Sequence, residues 1–217
     1  MPVYCGGASV IAVKYAEGVL MAADTQISYG SMVRYKGIRR VTAYDNGVCL
    51  GFSGDHADFQ SIDDELTNMI RQDQCVDDGV TMGAKSIYGF LAAWMYQQRN
   101  EMKPLSVSLV VAGKDDKGEP FLGTVDQLGT HYEAPFVATG FGNDLALPVL
   151  RKEWTPNMSE LDAIRLVEDC LRVCYQRDCK ASNSIVMAKS TVDGVQVGVE
   201  YKLQNINWQI AAYDDKV

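Results

Sequence analysis

The side chains able to do chemistry are few and scattered. The 217-residue chain holds six cysteines and two histidines. A zinc-type centre, a Ser-His-Asp site or a Cys-His pair must therefore draw on His56 or His131, or on thiols alone. Cys170, Cys174 and Cys179 are the densest group. At about 100° per residue on a helix, Cys170 and Cys174 share a face and Cys179 points away. They do not converge on a metal and read instead as core or half-buried thiols. His56 falls in Gly54-Asp55-His56-Ala57-Asp58 at a helix start and His131 in an alternating strand; both are expected at the surface. No phosphate-binding loop and no Gly-x-Gly-x-x-Gly after a strand is present. The expectation is no metal and no cofactor.

Composition narrows the classes further. Asp plus Glu number 28 against 20 Lys plus Arg, a net charge of −8. Nucleic acid and anionic membranes both ask for a basic face, so neither is expected as the main partner. With 47% hydrophobic and 22% charged residues the chain is an ordinary globular one. At this length it can bury roughly 70% of its unfolded surface. No apolar run approaches the ~20 residues of a membrane span. Met1-Pro2-Val3-Tyr4-Cys5-Gly6-Gly7-Ala8 has neither the basic nor the apolar region of a secretory signal. Six cysteines are too sparse for a disulfide scaffold, which points to a reducing, intracellular compartment.

The periodicities supply the elements. Residues 8–15 and 19–24 flank Ala16-Glu17-Gly18 as one hairpin, and 39–44 and 48–53 flank Asp45-Asn46-Gly47 as another. Four strands are thus expected before any helix. Phe59, Ile62, Leu66, Met69 and Ile70 then recur at helical spacing behind Asp55 as N-cap. Ile87, Phe90, Leu91, Trp94 and Met95 make a second helix, closed by Pro104. Strands return at 106–113 and 119–126, joined by 114–118, and 129–138 continues extended. A short helix is predicted over 143–153 and a long one over 159–179, capped by Ser159 with Asp162. Two final strands, 183–189 and 195–202, precede an apolar tail with Ile206, Trp208, Ile210 and Tyr213. Two sheets face to face, with helices on each outer side, would bury all these surfaces. The expected class is α+β, a four-layer α-β-β-α sandwich of two antiparallel sheets.

The motifs now gain a context. Gly7-Ala8-Ser9-Val10-Ile11-Ala12-Val13-Lys14-Tyr15, Gly18-Val19 and Ala22-Ala23-Asp24 open the chain. Ser53-Gly54-Asp55 with Ala57-Asp58 follows at a strand-to-helix junction, and Tyr175, Arg177 and Asp178 close the long helix. In this order and spacing, over roughly residues 7–202, the sequence resembles the proteasome beta subunits of the N-terminal-nucleophile (Ntn) hydrolase superfamily. Tyr29-Gly30-Ser31, Met95-Tyr96-Gln97, Lys103-Pro104-Leu105, Ala138-Thr139-Gly140-Phe141-Gly142 and Leu150-Arg151-Lys152 look most like the non-catalytic type-seven subunits. The resemblance divides the chain into an extension or propeptide remnant at 1–7, a beta-type domain at 8–202 and a tail at 203–217.

Active members use an N-terminal threonine whose own amino group is the general base. Here Gly7 matches the preceding glycine and Ala8 stands at the threonine. Asp24 matches the first aspartate, but Arg40 replaces the lysine, and a guanidinium keeps its proton. Phe141 and Ala181 fall where serines are expected, with Ser182 one residue off, while Asp178 matches the second aspartate. The resemblance thus implies no catalytic residue, a degenerate site of Ala8, Asp24, Arg40 and Asp178, and an Asp24–Arg40 ion pair.

The implied role is a structural, non-hydrolytic subunit of the 20S beta ring. It would support assembly and enclosure of the proteolytic chamber in ubiquitin-dependent degradation, in cytoplasm and nucleus. Partners would be the other alpha and beta subunits of a stacked four-ring particle, with tail 203–217 touching beta subunits of the opposite ring. The alternative is an active hydrolase. Cys5 could become a nucleophile by trimming after Tyr4, and Ser9 by cleavage after Ala8, although a one-residue shift turns a strand side chain to the other face.

Overall fold

A computed structural model of the chain describes residues 5–115 and 117–211. It opens with strands β1 (Cys5–Gly7), β2 (Val10–Tyr15), β3 (Gly18–Asp24) and β4 (Ile27–Tyr29). Strands β5 (Met32–Tyr35), β6 (Val41–Ala43) and β7 (Cys49–Asp55) follow before the first helix. The expected four strands therefore miss β1 and the β4–β5 hairpin. β1 is Cys-Gly-Gly, with no intrinsic strand preference, and is held by pairing with β4 on one side and β7 on the other. The β4–β5 hairpin is too short to show a period, and turns at Gly30 with φ of 61°.

Helix α1 (His56–Val76) starts where Asp55 accepts a hydrogen bond from the Ala57 N–H at 2.9 Å. It is followed by α2 (Ala84–Asn100), β8 (Val107–Lys114), β9 (Pro120–Val125), β10 (His131–Glu133) and β11 (Phe136–Ala138). The single extended run expected at 129–138 is two strands. β10 pairs with β9 in one sheet and β11 with β2 in the other, so the chain changes sheets at Ala134-Pro135. Pro135 has no N–H to leave unpaired there, and its carbonyl accepts from the Lys14 N–H at 2.8 Å.

The helix expected at 143–153 is also split, into α3 (Gly142–Leu145) and α4 (Leu147–Glu153). Pro148 cannot donate back along the helix, which accounts for the break. Helix α5 (Glu160–Arg177) opens on the expected Ser159 cap, whose Oγ accepts from the Asp162 N–H. Strands β12 (Ser184–Thr191), β13 (Gly194–Val197) and β14 (Tyr201–Lys202) and a 3₁₀ turn (Trp208–Ala211) finish the described chain. The run expected at 195–202 is interrupted after Val197, where the Gly198 N–H turns to the Met187 carbonyl. Residues 1–4 of the expected extension, Asp116 of the 114–118 connection, and 212–217 of the tail, Tyr213 included, lie outside the described residues.

The strands form an eight-stranded antiparallel sheet, β10-β9-β8-β7-β1-β4-β5 with β6 on β7, and a six-stranded one, β11-β2-β3-β12-β13 with β14 on β12. Helices α1 and α2 cover the first sheet through Phe52, Phe59, Leu66, Ile87, Leu91 and Met95. Helices α4 and α5 cover the second through Ile11, Leu20, Leu150, Val167, Leu171 and Ile185. Between the sheets lie Val10, Ala12, Met21, Cys49, Val110 and Leu122. The architecture is the expected α+β sandwich of four layers. Each central strand is buried on both faces, which is why β2, β3 and β8 read as unbroken apolar runs rather than alternating ones. The outer strands β5, β10 and β14 are instead exposed at every residue.

Burial sorts the histidines and thiols. His131 is exposed, but His56 is half-buried and stacks on Phe52 with centroids 5.6 Å apart, correcting its expected surface position. Cys49, Cys170 and Cys174 are buried, Cys5 half-buried, and Cys75 and Cys179 exposed. Burial pushes the Cys49 and Cys170 thiols up to about 12, and Cys174 to about 11. Iodoacetamide at pH 8 should therefore alkylate Cys75 and Cys179 in the folded chain. Cys49, Cys170 and Cys174 should react only after denaturant is added, as peptide mass mapping will show.

Candidate functional site

At the end of the sandwich where β7 ends and β8 begins, a cleft of about 420 Å³ opens beside Ala8. Gly7, Gly54, Ser108, Phe141, Asp178 and Lys180 are among the residues that line it. Gly54, with φ of 104°, must be glycine: a Cβ there would stand 2.2 Å from the Ser106 carbonyl oxygen. Ala8 is 7% exposed and presents a methyl group to this space.

Behind Ala8 the expected Asp24–Arg40 ion pair is present, with both side chains almost wholly removed from solvent. Arg40 enters from the segment just before β6 and Asp24 from the end of β3. The Arg40 Nη1 donates to Asp24 Oδ1, and Nη2 donates to the carbonyls of Ala8 at 2.6 Å and Phe52 at 2.9 Å. The guanidinium lies over the Phe52 ring, 5.6 Å from its centroid. The other Asp24 oxygen accepts from the backbone N–H groups of Ser182 at 3.1 Å and Gln26 at 3.3 Å.

Burial pushes the Asp24 carboxyl up to about 6, against the opposing pull of the Arg40 charge and the two N–H groups. Burial likewise lowers the Arg40 guanidinium from its ordinary value, with Asp24 pulling it back up. The pair is ionised at neutral pH, because a guanidinium bonded to a carboxylate and two carbonyls holds its proton.

The other expected residues separate into those at the cleft and those away from it. Asp178 is at the cleft, 6% exposed, with Oδ1 accepting from the Lys180 N–H and Oδ2 unpartnered among the described residues. Phe141 stands on the cleft lining, 55% exposed. Ser9 points the other way. Its Oγ accepts from the Gly142 N–H at 2.7 Å and neighbours Cys174 on the α5 side. Cys5 sits in β1 against the α1–α2 core, and lines a separate hollow with Tyr29, Met32 and Tyr35.

Ala181 is half-buried and brings no hydroxyl to Asp24; the contact comes from Ser182 through its main chain, which no side-chain pattern discloses. Gly7, matched in the sequence to the glycine before the nucleophile position, has a second role that the match does not disclose. A Cβ there would fall 2.2 Å from Arg40 Nε, and the Gly6-Gly7 pair before Ala8 was the available signal.

The two face-to-face sheets, their outer helices, and a cleft at the start of β2 backed by a buried acid–base pair define a protein of the Ntn-hydrolase type. The family profile described as "Proteasome subunit" matches residues 5–189. The chain is 42% identical over 210 residues to the Arabidopsis thaliana proteasome subunit beta type-4, covering 97% of this chain and 85% of that protein. It is 40% identical over 207 residues to the Xenopus laevis beta type-4 subunit, covering 94% and 85%. Against the Saccharomyces cerevisiae beta type-7 subunit it is 34% identical over 217 residues, covering 94% and 81%. The chain belongs to the proteasome beta subunit family. The likeness to type-seven subunits is there, and relatives numbered type-4 stand at higher identity.

Removing Arg40 tests the buried pair. Arg40→Met strands the Asp24 carboxylate and two carbonyls, and should cost about 3–5 kcal/mol in urea unfolding at pH 8. Without the guanidinium the carboxyl rises above about 6. A carboxyl whose folded pKa exceeds the unfolded value of about 3.9 binds protons more readily when folded, so stability grows as pH falls. The wild type gains in the same way only below about pH 6, so the variant's deficit should shrink between pH 8 and about pH 6; a deficit constant across that window would contradict the assignment.

Proposed function

We propose that this chain is a non-catalytic, structural subunit of the beta ring of the 20S proteasome, supporting assembly and enclosing the chamber for intracellular, ubiquitin-dependent proteolysis. The observation that carries the reading is Ala8. A methyl group has no lone pair with which to attack a peptide carbonyl, so no acyl-enzyme can form at this position. The surroundings agree. Arg40 gives its Nη groups to Asp24, Ala8 and Phe52, and offers no removable proton to a relay. The partners are the other alpha and beta subunits of the stacked particle, within which the chain would sit between beta subunits one and six. The expected location is cytoplasm and nucleus.

The alternative nucleophiles are poorly served by their surroundings. The Ser9 hydroxyl is buried against Gly142 on the side of β2 away from the cleft, and Cys5 lies outside the cleft lining. The decisive measurement is the intact mass of this chain from the endogenous particle after a broad covalent inhibitor of N-terminal nucleophiles. The chain should stay unmodified while its neighbours are labelled. An adduct on Cys5 or Ser9 would make it a hydrolase with a displaced nucleophile.

The tail adds a second test. Leu203 and Ile206 pack into the core beneath α5, Trp208 meets Tyr175 edge-on at 5.3 Å, and Gln176 donates to the Asn207 carbonyl. The first part of the tail thus packs on its own chain, and the contact proposed with the opposite ring is made by tail 203–217, with the exposed Trp208 on it. Deleting 210–217 should slow the joining of half-particles. Joining at the wild-type rate on native gels would remove that role from the tail.

A further inference from the structure

The sandwich has a second opening, at the far end of the strands from Ala8. β2 and β8 both begin near Ala8 and run away from it, and the turns after Tyr15, Lys114 and Thr191 frame a hollow of about 420 Å³. Three carboxylates stand on its lining, Glu17, Glu119 and Asp193, against a single ammonium, Lys114. Lys114 is already committed, its Nζ donating to the Val192 carbonyl. Among the described residues none of the three carboxylates makes an ion pair.

Ser190 also lines the hollow, 3% exposed, and its Oγ has no hydrogen-bond partner among the described residues. It lies two residues from Ala188 on β12, on the side that faces the layer between the sheets. A buried hydroxyl without a partner below a rim that is acidic on balance, three carboxylates to one ammonium, is an arrangement that lacks a donor.

We propose that this hollow receives an arginine side chain from a neighbouring protein chain in the assembled particle. The proposal rests on the reading of this chain as a proteasome ring subunit. The sign of the rim selects a cation. No group of three His, Cys, Asp or Glu among the described residues lies close enough to hold a metal ion, so the carboxylates are too dispersed for one. A compact ammonium makes poor use of them for the same reason. A planar guanidinium carries five donors in a fixed fork and can reach an inner hydroxyl and more than one outer carboxylate at once. It is also the more weakly hydrated cation, which suits entry between two sheets.

Two measurements decide it. In the first, the isotope-labelled full chain is titrated with methylguanidinium while backbone amides are followed by NMR. Saturable shifts should be confined to residues 16–18, 113–114, 118–119 and 190–193, with affinity about fivefold above that for methylammonium, and Ser190→Ala should remove about that factor, the share of one hydrogen bond. Equal response to the two cations, or none, overturns the proposal.

In the second, a photoreactive benzoylphenylalanine replaces the exposed Val192 and the purified particle is irradiated. A cross-link to another subunit, on a peptide with an arginine within a few residues, is the expected result. Incorporation without an inter-chain cross-link, or a cross-link to an arginine-free peptide, overturns the proposal and leaves the subunit reading intact. Absence of the wild-type chain from purified particles would instead overturn the subunit reading.

Discussion

A single buried guanidinium holds the middle of this molecule together. Arg40 sits where no water reaches it, and a charge so placed is tolerable because its Nη donors are spent on matching acceptors, Nε alone being without a partner among the described residues. The acceptors come from three places: the Asp24 carboxylate at the end of β3, the Ala8 carbonyl before β2, and the Phe52 carbonyl on β7. β3 belongs to one sheet and β7 to the other, so the side chain spans the interface between them. Its demands propagate outward. Position 7 must lack a Cβ, the Phe52 ring lies beneath the cation, and the second Asp24 oxygen draws the main chain of Ser182 inward.

How much of this could be read from residues alone depended on the length of each pattern. Helices α1, α2 and α5 run long enough to show a helical period, and strands β2, β3, β7 and β8 long enough to show an apolar run between turns, and they fall close to where they were expected. The failures share one cause. β1, β4 and β5 are three or four residues long, and the breaks at Ala134-Pro135, Pro148 and Val197 divide runs of uniform composition. Such boundaries are set by which sheet offers a free edge, a tertiary fact with no local mark beyond a proline or glycine. The candidate site shows the same split. Asp24 and Arg40 were legible through the resemblance, which puts them where active members carry an aspartate and a lysine. Ser182 was placed only as one residue off an expected serine, because its contact is made by the backbone, and Gly7 only as the glycine before the nucleophile position, because its packing role lies in what it leaves out.

Strand parity explains why neighbouring residues have such different fates. Along β2, Val10 and Ala12 point between the sheets while Ile11 and Val13 point to α5. Ser9 belongs with the second set, capping the Gly142 N–H at the start of α3, and Ala8 lines the cleft on the opposite side. One residue of register thus separates a hydroxyl that organises a helix start from a methyl that faces open space. The same parity on β12 sends Lys189 to Glu160 of α5 and turns Ser190 inward.

The outer strand β5 carries a consequence for the cell as much as for the fold. It ends the eight-stranded sheet, its residues are exposed, and Met32, Val33 and Tyr35 are large and apolar. A sheet edge of this kind is a template on which any other extended chain can add a strand, including another copy of itself. A copy synthesised in excess of the surfaces able to cover that edge is therefore a seed for precipitation. The chain's supply must be matched to its demand, or the surplus cleared, which turns a few uncovered side chains into a constraint on gene dosage.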